Sequence, residues 1–188
     1  MGNELYPDFR TLRADEIYIR VARCTEKGAQ LLLYKDSRCD MNILDETVGR
    51  MIWQRRHYEC KGNLFCSVGV RCGEEWIWKD DAGSESNVEK EKGEASDSFK
   101  RACTNWGIGR ELYTTPFIWV PVETTDKPGV KIENKRTFDT FEVHKITYWR
   151  QDKKELHEIE NLAIRRKRRG TKAAIVFIHE GGKDGGAV

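Results

Sequence analysis

Lysine and arginine side chains are grouped at three places along this chain, and such groups are the usual means by which proteins bind phosphate. Lys100 is followed by Arg101, Arg55 is followed by Arg56, and residues 165–169 are all basic. The 33 Lys and Arg residues are nearly balanced by 31 Asp and Glu residues, so only local groups like these could attract a polyanion. Each group could equally be a solvated surface, and the charge pattern alone indicates nucleic-acid binding without further detail.

The sequence lacks the signatures of several common enzymes. It contains no G-x-x-x-x-G-K-[ST] phosphate-binding loop, and G-x-G-x-x-G, H-E-x-x-H and G-x-S-x-G are also missing. One enzymatic pattern is present, because Asp126, Glu133 and Lys135 fit the D…E-x-K set with which some nucleases hold Mg²⁺ and activate water. A magnesium-dependent nuclease is therefore an alternative, although this short pattern flanks a Pro-Gly turn.

The six cysteines show neither a C-x-x-C pair nor a histidine at zinc-ligand spacing. Cys66 and Cys72 alternate in phase with Val68 and Val70, and Cys103 falls among apolar residues at helical spacing. We expect the cysteines to be small apolar core residues in a reducing compartment, rather than metal ligands or redox groups. The chain also shows no apolar signal segment and no run long enough to span a bilayer, which predicts a cytoplasmic protein without membrane association.

The Lys–Arg pair at residues 100–101 needs a rigid element to position it, and the neighbouring residues predict one. Phe99, Ala102, Cys103 and Trp106 recur at i, i+3, i+4 and i+7, which is one face of an α-helix. Glycines follow directly, as they do after many helix ends. We expect a long helix over residues 88–106 whose apolar face packs on a core and whose basic pair lies off that face.

Alternating apolar residues predict strands on both sides of this helix. A hairpin at residues 16–35 precedes a short helix that Asp36 or Ser37 caps and Gly49 ends, and three strands follow at residues 51–80. One strand flanked by prolines and three further strands lie beyond the long helix. The sequence thus predicts an α+β fold, with an antiparallel β-meander (a β-β-β-α core) packed on the long helix and a C-terminal β-rich extension.

Two sequence motifs within these predicted elements resemble the motifs of a known family. Residues 96–113, S-D-S-F-K-R-A-C-T-N-W-G-I-G-R-E-L-Y, resemble the signature helix of Rad-fifty-two-type single-strand annealing proteins, in particular the phage and prophage recombinases. In that family a helix of the form D-x-x-K-R-A-x-x-x-[FW]-G follows a β-β-β meander, and the short helix before the meander ends in a G-x-x-x-W turn. Here Gly49 and Trp53 form that turn, after the acidic L-D-E of residues 44–46. The likeness covers residues 34–115.

The resemblance implies a protein that is not an enzyme and needs no cofactor. It implies ATP-independent annealing of complementary DNA strands in homologous recombination and double-strand break repair, in the cytoplasm of a bacterial or phage-infected cell. It further implies a homo-oligomeric ring of about eleven subunits, or a filament, around which a basic groove binds single-stranded DNA by its backbone. A host or phage single-strand-binding protein is an expected partner.

The resemblance, the linker T-T-D-K-P-G and the glycine-rich C-terminal residues together divide the chain into three parts. These are an annealing core at residues 10–122, a C-terminal β-meander extension at residues 123–180 and a disordered tail at residues 181–188. Lys100 and Arg101 match the pair that lines the inner groove of the family, and Arg38 matches an arginine near the start of its short helix. Further DNA-binding residues are expected among the basic side chains nearby, at Arg55, Arg56, Lys90 and Lys92. A nucleic-acid-binding adaptor, recruiting another recombination protein through its C-terminal strands, is a third alternative.

The physics of annealing fits a site made of Lys and Arg. Two strands repel each other through their phosphates, so a protein that pairs them must neutralise phosphate and leave the base edges open. Aromatic platforms, the solution of general single-strand binders, would cover base faces. We therefore expect the tryptophans of this region to lie in the core instead: Trp53, Trp76, Trp78 and Trp106.

Overall fold

The computed structural model describes residues 7–84, 90–149 and 157–181, and at residues 90–92 it describes the backbone alone. The strands and helices are β1 Ile17–Thr25, β2 Gly28–Lys35, α1 Ser37–Val48, β3 Trp53–Cys60, β4 Asn63–Cys72, β5 Glu75–Ala82, α2 Lys90–Asn105, β6 Ile118–Pro121, β7 Thr140–Trp149, β8 Glu158–Lys167 and β9 Ala174–Glu180. The described strands form three antiparallel sheets, in the orders β1-β2-β6, β3-β4-β5 and β7-β8-β9. The predicted α+β class is confirmed.

The chain divides by its internal contacts into two compact units. The first takes in Asp36–Arg110 together with the N-terminal segment up to Thr11, and the second takes in Leu12–Lys35 and the chain from Glu111 onward. The contact boundaries thus fall near residues 11, 35 and 110, and the functional division at residue 122 stays a prediction. Of the predicted tail, residues 182–188 lie outside the described residues, as does the predicted helix start at Val88.

The first unit begins with α1, whose two ends follow the sequence signals. The Asp36 side chain caps the helix by accepting a hydrogen bond from the Arg38 backbone N–H at 2.8 Å. Gly49 ends it with φ of 89°, a conformation that a side chain would strain, and donates its N–H to the Asp45 carbonyl at 3.0 Å.

The turn after α1 is fixed by Asp45. Its carboxylate accepts a hydrogen bond from Trp53 Nε1 at 2.7 Å, and its other oxygen lies 3.3 Å from Arg50 Nε. The Ile52 N–H is bonded to the Gly49 carbonyl at 3.1 Å. The acidic segment and the G-x-x-x-W turn are therefore joined physically, and together they set where β3 begins.

Helix α2 packs on β4 and β5 of the sheet that follows the turn. Cys66, Val68 and Val70 of β4 are fully buried, as are three α2 residues of the predicted apolar face, Phe99, Ala102 and Cys103. Burial also raises the pKa of the Cys66 thiol to about 11. The predicted apolar face of this helix is confirmed at these three positions, and the buried contacts hold α2 rigidly against the sheet.

The second unit contains the sheets β1-β2-β6 and β7-β8-β9, which meet through β1 with β7 and β6 with β9. Leu31, Ile118 and Val120 are buried in the first of these sheets, and Leu162 and Ile164 in the second. In the described parts of the chain, no helix is both long enough and apolar enough to cross a membrane.

The basic run at residues 165–169 lies largely within a strand. Strand β8 continues through Arg165 to Lys167 before the chain turns. Arg165 Nη2 lies 2.6 Å from the Glu142 carboxylate of β7, and Lys167 pairs with the same carboxylate. These cations are therefore matched to an acidic side chain on the neighbouring strand.

Arg166 and Arg168 of that run are neutralised by a network within the second unit. The Arg166 side chain is only 4% exposed, and it donates to Glu123 at 2.9 Å and to the Gly129 carbonyl at 2.8 Å. Arg168 lies 2.7 Å from Glu123 and 2.5 Å from Asp139. The hydrogen bonds from Arg166 and then Arg168 lower the pKa of Glu123 to about 2. Arg166 and Arg168 therefore serve packing in this unit rather than forming a basic surface.

All six cysteines are free thiols. Those at positions 39, 66, 72 and 103 are buried, as expected of small apolar core residues. The expectation is wrong for Cys60, which is exposed at the end of β3, and Cys24 is half-buried. Strand alternation explains the difference, because Cys60 points to the face of its sheet that is opposite α2.

Candidate nucleic-acid interface

Arg38 is paired with one carboxylate, that of Asp36 at the start of α1. Arg38 Nη2 lies 2.7 Å from Asp36 Oδ2, and its Nε lies 3.2 Å from the same oxygen. These side-chain hydrogen bonds and the backbone hydrogen bond of Arg38 lower the pKa of Asp36, and the charge of Lys100 adds a smaller lowering. The Arg38 side chain remains 78% exposed, so this predicted DNA-binding residue is accessible to a ligand.

Arg101 points toward a different carboxylate. Its Nε lies 3.3 Å from Asp81 Oδ1 on β5, and 49% of the Arg101 side chain remains exposed. An exposed ion pair of this length contributes little to stability, so the guanidinium can exchange Asp81 for another anion. Arg101 therefore faces β5, where Asp81 is its ion-pair partner.

Arg55 lies on the α2 side of its sheet. It is paired in register with the buried Val68, and its guanidinium lies 4.5 Å from the centre of the Phe99 ring. Phe99 precedes Lys100 directly, so the exposed Arg55 adds a cation to the same helix surface. The cations that the first unit gathers around α2 are Arg38, Arg55, Lys100 and Arg101.

Arg56 does not join them, because successive strand residues point to opposite faces. It is paired with Ser67 on the far side of the sheet, and its guanidinium lies 4.3 Å from the centre of the Trp78 ring. The predicted Arg55–Arg56 group is therefore split between two surfaces.

Lys90 and Lys92 lie in the first turn of α2, and their side chains are outside the described residues. Their predicted role in DNA binding stays a prediction.

Within the described parts, cations at the other end of α2 have a structural role. Lys79 Nζ donates to the Asn105 carbonyl at 2.8 Å, and Arg110 donates to the same carbonyl at 3.1 Å and to that of Thr104. Cations at a helix C-terminus satisfy carbonyls that have no partner within the helix.

The four tryptophans correct the expectation that all lie in the core. Trp53 is half-buried and stacks on Phe99 with ring centres 6.1 Å apart. Trp106 is also half-buried, and it donates Nε1–H to the Val68 carbonyl at 3.0 Å. Trp76 and Trp78 instead lie on the face of the sheet opposite α2, where Trp76 is 37% exposed. The expectation failed there because a strand pattern defines two faces without indicating which one meets the helix.

The residues of the nuclease alternative lie in the second unit. Glu133 pairs with Lys131 at 2.8 Å, and this hydrogen bond lowers the pKa of Glu133. Lys135 lines an open cleft of about 430 Å³, together with Asn134. Among the residues that the structure describes, no three His, Cys, Asp or Glu side chains are placed to hold a metal ion. The nuclease alternative stays a prediction, and no observed contact favours it.

The geometry of the first unit offers an accessible, partly neutralised set of cations around a rigid helix. No family model, no curated protein and no solved structure matches this chain. Its function must therefore follow from what these side chains can bind.

Proposed function

We propose that this protein binds single-stranded DNA and anneals complementary strands without ATP, in homologous recombination and double-strand break repair. The observation that supports this best is that two predicted DNA-binding arginines, Arg38 and Arg101, stay exposed beside the carboxylates with which they pair. Each is balanced by one acidic group at a partly exposed position, Asp36 or Asp81, which a phosphate could replace. Lys100, directly before Arg101, provides a further cation of α2.

Phosphate is the ligand that these groups suit. Lysine and arginine bind phosphate by charge and hydrogen bonds, and contacts of this kind carry no sequence information. DNA held by its backbone keeps the hydrogen-bonding edges of its bases available, which is what a second strand needs. The buried face of α2 fixes the backbone that carries Lys100 and Arg101, so little backbone entropy would be lost when DNA binds.

The finer architecture belongs to the same proposal. We infer that β3-β4-β5 and α2 form a β-β-β-α annealing core within residues 10–122, and that copies of the chain assemble into a ring of about eleven subunits or a filament. Assembly would repeat the Lys100–Arg101 pair of α2 once in each subunit, along a continuous DNA-binding surface. The mass of the protein in solution tests this point, because a monomer at micromolar concentration would contradict it.

The activity is tested by mixing two complementary oligonucleotides with the protein in EDTA and without ATP. We expect duplex to form faster than in protein-free buffer, since annealing needs neither metal nor nucleotide. Strand cleavage that appears only when Mg²⁺ is added would favour the nuclease alternative instead. Binding without faster annealing or cleavage would favour the adaptor.

The double substitution Lys100→Ala/Arg101→Ala tests the site. We expect weaker binding of single-stranded DNA and a salt dependence that is flatter by about 0.7 in log–log slope for each phosphate that the variant no longer binds. Fold and oligomer should be unchanged, because neither side chain belongs to the buried face of α2.

Arg23→Ala/Lys27→Ala is the matched control for this experiment. It removes the same charge from exposed positions of the second unit. Equal affinity and equal salt slope for the α2 variant and the wild-type protein would refute the proposed site. Equal losses of affinity in both double variants would show that only net charge matters.

A further inference from the structure

The face of the β3-β4-β5 sheet opposite α2 carries a second set of residues that could bind a ligand. Its members follow from the strand register, because they alternate with the residues that pack on α2. We call this surface the stacking face, and it consists of Arg56, Tyr58, Phe65, Arg71, Trp76 and Trp78.

The aromatic rings of the stacking face lie in two pairs. Trp76 and Trp78 have ring centres 6.0 Å apart, and Tyr58 and Phe65 have ring centres 5.5 Å apart with planes inclined by 20°. Trp76 is 37% exposed and Tyr58 is 40% exposed, so each pair offers one ring to solvent. The pairs lie at opposite ends of the face, six residues apart along β4, which corresponds to about 20 Å.

The Trp78 ring is held in place by the backbone of Gly69 and by the side chain of Arg56. A Cβ atom at Gly69 would come within 2.8 Å of the Trp78 ring, so the ring lies against bare backbone that only glycine can offer. The Arg56 guanidinium lies over the same ring, 4.3 Å from its centre. Bases stack on guanidinium planes as well as on aromatic rings, so Arg56 extends the stacking surface.

The charge of the stacking face favours an anionic occupant. Neither Arg56 nor Arg71 has a carboxylate within ion-pair distance among the residues that the structure describes. Asp80 is the acidic residue of this face, and it already accepts hydrogen bonds from the Tyr58 hydroxyl at 2.8 Å and from the Ser67 hydroxyl. A second copy of this face would bring arginines and an occupied carboxylate, which do not complement the arginines present.

We propose that the stacking face is a separate site for single-stranded nucleic acid, where Trp76 and Tyr58 stack on unpaired bases while Arg56 and Arg71 contact phosphate. The ligand class follows from the chemistry, because flat rings and arginines together match a strand with free bases. The distance between the two exposed rings calls for a segment of several nucleotides. The inference rests on the proposed function in that both take DNA as the ligand, but it concerns the opposite face of the sheet.

The two surfaces differ in what they recognise, and an abasic strand separates them. The full-length protein would be titrated with fluorescein-labelled oligothymidylate and with an abasic strand of equal length, which keeps phosphate and sugar. We expect the wild-type protein to prefer the base-bearing strand by about fivefold to one hundredfold for each stacked base. Binding of oligothymidylate should also quench tryptophan fluorescence more than the abasic strand does.

The variant Tyr58→Ala/Trp76→Ala should lose this preference and keep its affinity for the abasic strand. Because the two sites are separate, Lys100→Ala/Arg101→Ala should weaken the binding of the abasic strand more than that of oligothymidylate, and the preference for the base-bearing strand should remain. Tyr113→Ala/Phe138→Ala removes two exposed aromatic side chains of the second unit and is the matched control, with both affinities unchanged. Trp76→Phe, which keeps a ring, should retain most of the preference.

The outcomes separate the two proposals. A strand preference that Tyr58→Ala/Trp76→Ala leaves unchanged would overturn the stacking face, whatever the α2 variant does. If Tyr58→Ala/Trp76→Ala forms a smaller assembly in solution and its strand preference is unchanged, a second copy of the chain occupies this face. Unchanged affinities in the α2 variant alone would refute the phosphate site and leave the stacking face supported.

Discussion

Two cations of the α2 surface face carboxylates that DNA would have to replace. Arg38 pairs with Asp36 at 2.7 Å, and Arg101 lies 3.3 Å from Asp81. These acidic side chains offset part of the positive charge when no ligand is bound, and they weaken binding by competing with phosphate. DNA affinity at this surface should therefore depend on the acids as much as on the bases.

Asp81→Asn tests this competition. Removing the charge removes the ion pair between Asp81 and Arg101, while the amide oxygen can still accept the Ala82 N–H that Asp81 now accepts at 2.8 Å. We expect single-stranded DNA to bind about two- to fivefold more tightly at low salt, the range set by an exposed ion pair. Fluorescence anisotropy with a labelled oligonucleotide measures this change in affinity. The control is Asp126→Asn in the second unit, and equal effects of the two changes would count against local competition.

Single residues could be assigned from the sequence where local spacing decides their position. The spacing of Phe99, Ala102 and Cys103 placed all three in the core correctly. The partner of Arg101 could not be predicted, because Asp81 is 20 residues away on a strand whose position depends on tertiary packing.

At the scale of elements, the buried face of α2 determines how firmly the helix that carries Lys100 and Arg101 is held. Phe99 is fully buried and stacks against Trp53, whereas Trp106 is only half-buried. We expect Phe99→Ala to lower the free energy of unfolding by about 3–5 kcal/mol, and Trp106→Ala to lower it by less. Urea denaturation followed by circular dichroism measures both.

Lys100→Ala is the control for these substitutions, because its side chain lies off the apolar face, and it should change stability by about 0.5 kcal/mol or less. A larger loss of stability for Trp106→Ala than for Phe99→Ala would contradict the observed burial.

Strand positions could be predicted from alternation, as β4 shows by occupying residues 63–72. The face that each strand turns to α2 could not be predicted. Trp76, Trp78 and Ile77 form an apolar run with no polar residue to mark the outer side, and only the register with β4 shows that both tryptophans point away from the helix. The stacking face was missed for this reason.

At the scale of the whole chain, a charged network limits stability in acid. Hydrogen bonds from Arg166 and Arg168 lower the pKa of Glu123 to about 2 from an ordinary value of 4.5. A carboxyl group with a lowered pKa stabilises the fold fully above its unfolded pKa, and this contribution is lost as the pH falls toward the folded value. The network should therefore weaken between about pH 4.5 and pH 2.

Glu123→Gln should reduce the fall in melting temperature across that range, because glutamine does not titrate, while it lowers stability at neutral pH. Thermal melting from pH 6 to pH 2 provides the measurement. Glu26→Gln, an exposed glutamate of the same unit, should leave the curve unchanged. If Glu123→Gln and the wild-type protein lose stability in parallel, the network does not control the acid response.

The sequence predicted a basic cluster at residues 165–169 but not its neutralisation. Glu123 and Asp139 are 43 and 29 residues from the arginines they bind, so no local pattern connects them. Long-range ion pairs are formed by the fold, and a basic run read without its fold overstates the charge available to a ligand.

The position of Cys60 makes the natural protein easy to label. Its thiol is the exposed one of the six, and it lies at the end of β3 on the same side as Tyr58. A maleimide dye should therefore attach there first, without any engineered mutation. Such a dye would sit beside the two stacked rings of Tyr58 and Phe65, and its emission could follow the arrival and departure of a strand in real time.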